Sequence, residues 1–297
     1  MKNSTILLIM SVCINIGAAF SQKIENVFTL NVGTVEVHLL SEKQQHGNTD
    51  ILIGATTEML QKAIPEGNFT TAFNVFLVRS TGKNILIDAG FGWNLLDNLA
   101  SFGMSVEEID AVLITHGHGD HIGGLLQNGK ASFPNAALYL SQPEYDFWTS
   151  NEMMNKAEEN HRAGFQAVQE VINVYKNRLH LFIPDELGTE KNMLFPEIQG
   201  IAAYGHTPGH TIFMIGNSEQ QLLIWGDLTH VIPVQMLYPH LAVTYDVTPE
   251  QAIDTRLKIL EYVSKNNIPI AGMHIAFPGM GHIKADSEGG YVFIPLQ

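Results

Sequence analysis

Between Thr115 and Gly124 the chain reads Thr-His-Gly-His-Gly-Asp-His-Ile-Gly-Gly, which places His116, His118, Asp120 and His121 within six residues. The apolar run Ala111 to Ile114 just before it reads as a buried strand, so the cluster begins where a strand ends. Gly117, Gly119, Gly123 and Gly124 let the backbone fold tightly enough to aim several side chains at one place. His116 and His118, two residues apart, can meet one metal ion, while Asp120 and His121 point to a neighbouring position. Nitrogen and oxygen donors of this kind suit zinc, with manganese, iron and cobalt as competitors. A lone histidine is more often a surface or core residue than a ligand; a cluster this dense behind a strand is not explained that way.

Three more candidates sit at or just after strand ends: His206 in Tyr-Gly-His-Thr-Pro-Gly-His, Asp227 in Trp-Gly-Asp-Leu-Thr-His, and His274 in Gly-Met-His. Repeated placement at one edge of the strands is what a shared site requires. His210 reads as a support for a ligand rather than a ligand. His282 is expected either to orient a ligand or to hold the final loop, and His38, His46, His161, His180 and His240 carry no assignment.

The N-terminus bounds the ligand chemistry further. Lys2, an apolar run from Ile6 to Ala18, and small residues at Ala19 and Ser21 read as a secretory signal peptide over residues 1–21. The apolar run is shorter than a spanning helix needs and is interrupted by Ser11, Asn15 and Gly17, so no stable membrane insertion is expected. Cys13, the only cysteine, lies within that run, and its removal leaves histidine and carboxylate as the metal donors. The expectation is a periplasmic or secreted protein whose residues 22–297 form one domain. The formal charge of −14 argues against nucleic acid and anionic membranes as partners and favours a small neutral substrate.

Period-two alternation predicts strands at Phe28 to Val32, Val35 to Leu40, Ala72 to Val78 and Ile85 to Asp88. Ser105-Val-Glu-Glu108 predicts a capping box, and apolar spacing predicts one long helix from about Glu152 to Asn177 with Ala163, Phe165, Val168, Val171, Ile172 and Tyr175 inward. The second half repeats strands at Ile212 to Ile215 and Leu222 to Trp225. It continues with a helix at Thr248, with Pro249 in its first turn and Gln251 completing a capping box, and with a last strand at Ile270 to Met273. Strands then helix, twice over, predict an α/β fold of two face-to-face sheets with helices outside, a four-layer αββα sandwich.

The ordered set His-x-His-x-Asp-His, Gly-His-Thr-Pro-Gly-His, Gly-Asp and a late histidine resembles the metallo-β-lactamase superfamily. The resemblance implies that His116, His118 and His206 hold one metal, that Asp120, His121 and His274 hold a second, and that Asp227 bridges them. It implies two Zn2+ ions, other divalent transition metals being possible, whose shared hydroxide attacks the substrate while Asp120 passes a proton to the leaving alkoxide.

The stretch from Trp225 to Gln235, the Thr-Pro-Glu helix and the final His-Ile-Ala-Phe-Pro-Gly-Met-Gly-His resemble the branch of methyl parathion hydrolase and dizinc N-acyl homoserine lactonases. That branch implies hydrolysis of a homoserine lactone (quorum quenching), with phosphotriester hydrolysis or another esterase or lactonase activity as the alternative, and it implies a homodimer. Phe91, Trp93, Ile232, Met236 and Leu237 are candidates for an apolar slot that takes an acyl tail, core packing being the competing explanation for each. Better-known lactonases place a tyrosine three residues after the bridging aspartate. Here that position is His230, a candidate catalytic donor to a developing oxyanion.

Overall fold

The computed structural model describes residues 27–189 and 192–297, so the expected signal peptide and Cys13 lie outside the described residues. Two seven-stranded sheets dominate. The first runs in chain order through Val27–Val32, Val35–His46, Thr70–Ser80, Lys83–Ile87, Ala111–Leu113, Ala137–Ser141 and Leu179–Phe182. Its first four strands pair antiparallel and its last four parallel. The second sheet also follows chain order, through Met193–Phe195, Ile198–Ala202, Thr211–Gly216, Gln221–Ile224, Ile270–Ala271, Met280–Ala285 and Tyr291–Pro295. Its one parallel pair, Gln221–Ile224 with Ile270–Ala271, is joined through the helix Pro249–Asn266.

Residue parity builds the layers. In a strand, alternate side chains face opposite sides, and here both sides are covered, which is why the strands are apolar almost throughout. Leu39, Phe76, Val78, Ile85, Ile87, Ala111 and Leu113 point inward and meet Phe213, Ile215, Leu222 and Ile224 of the second sheet. Their neighbours Leu40, Val75, Leu77, Leu86 and Val112 face outward onto Phe165, Val168, Val171 and Tyr175 of the helix Glu159–Tyr175. On the other side Ile212, Met214 and Leu223 pack on Ile259, Leu260 and Val263 of Pro249–Asn266. Helix, sheet, sheet, helix is the expected four-layer sandwich. Among the described residues no helix is long and apolar enough to cross a membrane.

Several local expectations change. The long helix is two, Asn151–Lys156 and Glu159–Tyr175, because Ala157 is extended (φ −68°, ψ 148°) and Ser150 caps the first piece by accepting from the Met153 N–H. Ala163 is exposed and Ile172 is only half-buried, leaving a narrower inner face. The Ser105 box forms, with the Glu108 carboxylate accepting from the Ser105 N–H at 2.7 Å. The Thr248 box does not: its hydroxyl caps nothing, and its own N–H is committed to the Gly205 carbonyl. The strand Lys83–Ile87 stops one residue early because Asp88 turns to φ +61°, and Ile270–Ala271 stops before Gly272 for the turn that presents His274.

Candidate metal centre

Every candidate ligand lies at the carboxyl end of a strand, along one edge of the sandwich. Ala111–Leu113 leads to His116, Ile198–Ala202 to His206, Gln221–Ile224 to Asp227, and Ile270–Ala271 to His274. The loop after Ala111–Leu113 then winds into the short helix Gly119–Ile122, which carries Asp120 and His121. This turn is possible because two glycine backbones touch the preceding segment. A Cβ on Gly124 would stand 2.1 Å from the Ala89 carbonyl oxygen, and one on Gly123 3.0 Å from the Phe91 Cα.

Two groups form, His116, His118, His206 and Asp227, and Asp120, His121, Asp227 and His274. With metal–ligand bonds of about 2.0–2.1 Å, two donors on a tetrahedral centre lie roughly 3.3–3.4 Å apart. In the first group His116 Nε2 is 3.0 Å from His118 Nδ1 and 3.2 Å from His206 Nε2, and His206 Nε2 is 3.0 Å from His118 Nδ1. Asp227 Oδ2 stands 3.6 Å from His116 Nε2 and 3.4 Å from His206 Nε2. In the second group His121 Nε2 is 3.6 Å from Asp120 Oδ2 and 3.1 Å from Asp227 Oδ1, and His274 Nε2 is 3.4 Å from Asp120 Oδ2 and 3.2 Å from Asp227 Oδ2. His121 Nε2 and Asp227 Oδ1 are buried without a hydrogen-bond partner. Such orphaned atoms are costly unless something satisfies them. A pair of divalent cations fits both the spacing and the orphaned donors, and Asp227 is the residue common to both groups.

The electrostatics point the same way. Burial and neighbouring imidazoles hold His116 well below the usual histidine value, and burial with His206 brings His118 down to about 3. Burial also opposes charge on His121 and His206. Asp227, Asp120 and Asp88 nevertheless raise His121 well above its ordinary value, and Asp227 with Asp246 raises His206 to about 9. Against their own burial, Asp120 and Asp227 are held ionised by the surrounding histidines. A buried nest of carboxylates thus demands positive charge, which protons supply only partly.

Three of the histidines are held from behind. His121 Nδ1 donates to Asp88 Oδ2 at 2.6 Å, and Asp88 also accepts from the Thr115 N–H and hydroxyl at 2.7 and 2.8 Å. His206 Nδ1 donates to Asp246 Oδ1 at 2.8 Å, with the fully buried Arg256 nearby, bonded to the Leu228, Pro239 and Leu241 carbonyls. His274 Nδ1 donates to the Ala72 carbonyl at 3.1 Å. These contacts fix which ring nitrogen is left to face a metal. His210 is a support, as expected: its Nδ1 donates to the Ala203 carbonyl and its Nε2 accepts from the Asp227 N–H at 3.0 Å.

Sequence reasoning missed Asp88 and Asp246. Asp88 had a signal, an acid closing the apolar run Ile85-Leu-Ile; Asp246 had none. His230 lies inside the site, with Nε2 at 2.9 Å from Asp227 Oδ2, Nδ1 unpartnered, and its ring stacked on His274 at 4.9 Å. Burial depresses its pKa. His282 stands on the strand Met280–Ala285 opposite Ile294 and touches no ligand through a hydrogen bond.

The apolar candidates divide. Phe91 and Trp93 stack at 4.2 Å and are 36% and 50% exposed. Phe73, which sequence reasoning passed over, meets both rings and stands edge-on to His274 at 5.5 Å. Buried Glu42 fixes this arm by accepting from the Phe91, Asn94 and Leu95 N–H groups. Met236 is not at the mouth; it packs in the outer core with Trp225 and Leu228, and Ile232 leans on the same core. Leu237 lines a separate depression with Lys62 and Asp286.

Residues 72–267 match the profile of the metallo-β-lactamase superfamily. The chain belongs to that superfamily. Its fold superposes on the crystal structure of hydrolase AbOPH of the same superfamily with a TM-score of 0.82 and 29% identity, covering 93% of this chain and 99% of that one. It superposes on AidC, a dizinc quorum-quenching lactonase in complex with a product, with a TM-score of 0.81 and 24% identity over 92% and 98% of the two chains. Among curated proteins, the anti-Pycsar protein Apyc1 of Saccharibacillus brassicae is 46% identical over 56 residues, which is 19% of this chain and 22% of that protein. The hydroxyacylglutathione hydrolase of Aeromonas salmonicida is 36% identical over 72 residues, 24% and 26% of the two chains. The match therefore spans about a quarter or less of these relatives. Family and site together make this a metal-dependent hydrolase.

Proposed function

We propose that this hydrolase binds two zinc ions and opens the lactone ring of N-acyl homoserine lactones. His116, His118, His206 and Asp227 would hold one ion, and Asp120, His121, Asp227 and His274 the other. When bound, the ions activate a water molecule as nucleophile near neutral pH and polarise the carbonyl it attacks. Asp120 is only partly buried, its side chain 19% accessible, so its carboxylate is placed to take the proton from the attacking water and return it to the alkoxide as the ring opens. Burial lowers the pKa of His230; its Nε2, 2.9 Å from Asp227 Oδ2, would turn its N–H from that carboxylate to the developing oxyanion if bound metal took up the carboxylate oxygen.

The observation that carries the lactone reading is the aromatic arm. Stacked, half-exposed Phe91 and Trp93, joined to His274 through Phe73, offer an apolar seat adjoining the metal groups. A neutral head with an apolar tail suits that seat and the acidic surface better than a polyanion does. The dizinc lactonase among the structural neighbours supports the reading, and export through the N-terminal signal peptide would place the enzyme where such diffusible molecules pass. Phosphotriester hydrolysis is the second reading, favoured by His230 at the position where better-known lactonases carry tyrosine.

Ring opening releases one acid per turnover, so a pH-stat comparison of hexanoyl and decanoyl homoserine lactone with paraoxon decides between them. The proposal predicts rapid acid release from the lactones and slow paraoxon turnover. Rapid paraoxon turnover with intact lactone would overturn it.

A further inference from the structure

We propose that Glu144 is a positioning residue for the first metal group, its carboxylate locking together the two loops that carry His116, His118 and His206. Glu144 is completely buried, in the first turn of the helix Gln142–Thr149, yet makes no contact with any ligand atom of the site. Both of its oxygens are fully used. Oε1 accepts from the Gly117 N–H at 2.8 Å and from the Trp148 indole; Oε2 accepts from the Thr207 hydroxyl at 2.6 Å and the Gly209 N–H at 2.9 Å. Gly117 lies between His116 and His118, and Thr207 follows His206, so each histidine of the first group is one residue from a bond to this carboxylate.

The packing leaves the loops no other place to sit. A Cβ on Gly209 would stand 2.1 Å from the Glu144 nitrogen, and one on Gly117 2.5 Å from the Trp148 indole nitrogen. Ser141 reinforces the seam by donating its hydroxyl to the Gly209 carbonyl at 2.7 Å. A buried carboxylate is expensive unless charge-assisted hydrogen bonds offset the lost hydration, and here all four donors come from the metal loops or from the same helix. Nothing comparable ties Glu144 to the second group, whose His121 leans on Asp88 and whose His274 leans on the Ala72 carbonyl. The consequence is selective: losing the carboxylate should loosen one metal and spare the other.

Glu144→Gln keeps shape and removes charge. Three of the four partners can only donate, so whichever oxygen becomes the amide NH2 then faces an N–H. The proposal rests on the metal-dependent reading of the site, and the test separates the two. The full chain is stripped, then titrated with Zn2+ against a chromophoric chelator in two backgrounds. His274→Ala leaves the first group intact, and His118→Ala leaves the second. Cobalt absorption spectra follow the ligand geometry of the metal that remains.

Glu144→Gln should weaken zinc about 10–100-fold in the His274→Ala background and leave it unchanged in the His118→Ala background. In the otherwise native chain carrying Glu144→Gln, excess Co2+ should restore the first-group cobalt spectrum. Thr207→Val, which removes a single donor and keeps the side-chain volume, should weaken the first group several-fold with the same selectivity and serves if Glu144→Gln does not fold. Equal weakening in both backgrounds, or unchanged affinity in the first, overturns the proposal. If the unsubstituted chain binds no zinc, the metal-dependent reading itself falls.

Discussion

Asp88→Asn isolates the support behind the second metal group. Asp88 is wholly buried, with φ +61°, a backbone conformation that asparagine adopts as readily as aspartate, so the exchange adds no strain. The amide oxygen of the new side chain can keep the 2.7 Å bond from the Thr115 N–H, and the Thr115 hydroxyl can turn to accept from the amide NH2. The bond that cannot be kept is the 2.6 Å one from His121 Nδ1. An NH2 there either meets an N–H or forces the other tautomer, which puts the proton on Nε2, the atom that faces the metal. A hydrogen bond to a charged group is worth about 1.5–3 kcal/mol, which corresponds to roughly 10–100-fold in metal affinity, the range typical for such outer contacts. Chelator competition on the stripped variant should show one zinc weakened by that factor, with the other zinc little changed. Two zinc affinities equal to those of the unsubstituted chain would refute the assignment of Asp88 as a ligand support, and loss confined to the first group would refute the grouping.

Three further outcomes follow from the same geometry. Trp93→Ala should raise KM for decanoyl homoserine lactone about fivefold with kcat nearly unchanged, since a lost aromatic contact costs roughly 1 kcal/mol; a lowered kcat with unchanged KM would place the ring elsewhere in the reaction. In the metal-free protein, His206 is raised to about 9 and Asp246 is depressed, each partly by the other. The histidine's contribution is complete below its unfolded value and lost as pH rises through about 9, whereas the aspartate's is complete above its unfolded value and lost as pH falls. The stability difference between the stripped parent and Asp246→Asn, read from melts, should therefore be largest between about pH 4 and 6.5 and shrink by roughly pH 10. Phe213→Ala, between the two sheets, should cost about 3–5 kcal/mol in urea unfolding.

The parts legible in the sequence are those whose signal is local. His116 to His121 fall within one short stretch of chain, and the parity of Val75 to Val78 or Ile212 to Ile215 states which face each side chain occupies. The supports were illegible because their partners are distant in sequence: Asp88 serves His121 from 33 residues away, Asp246 serves His206 from 40, and Glu144 serves Gly117 from 27. Periodicity also could not place Met236, whose apolar side chain suits a slot and a core equally, or foresee that Thr248 would spend its N–H on Gly205. In each case tertiary contact, not local pattern, made the choice.

The central claim is that two metal ions held jointly through Asp227 perform the hydrolysis. Stripped protein titrated with zinc, with bound metal and lactone turnover read at every addition, tests it most directly. The account predicts that turnover stays low through the first equivalent and rises as the second is taken up, and that Asp120→Asn remains slow at saturation. Full activity at one equivalent, or an undiminished Asp120→Asn, would contradict it.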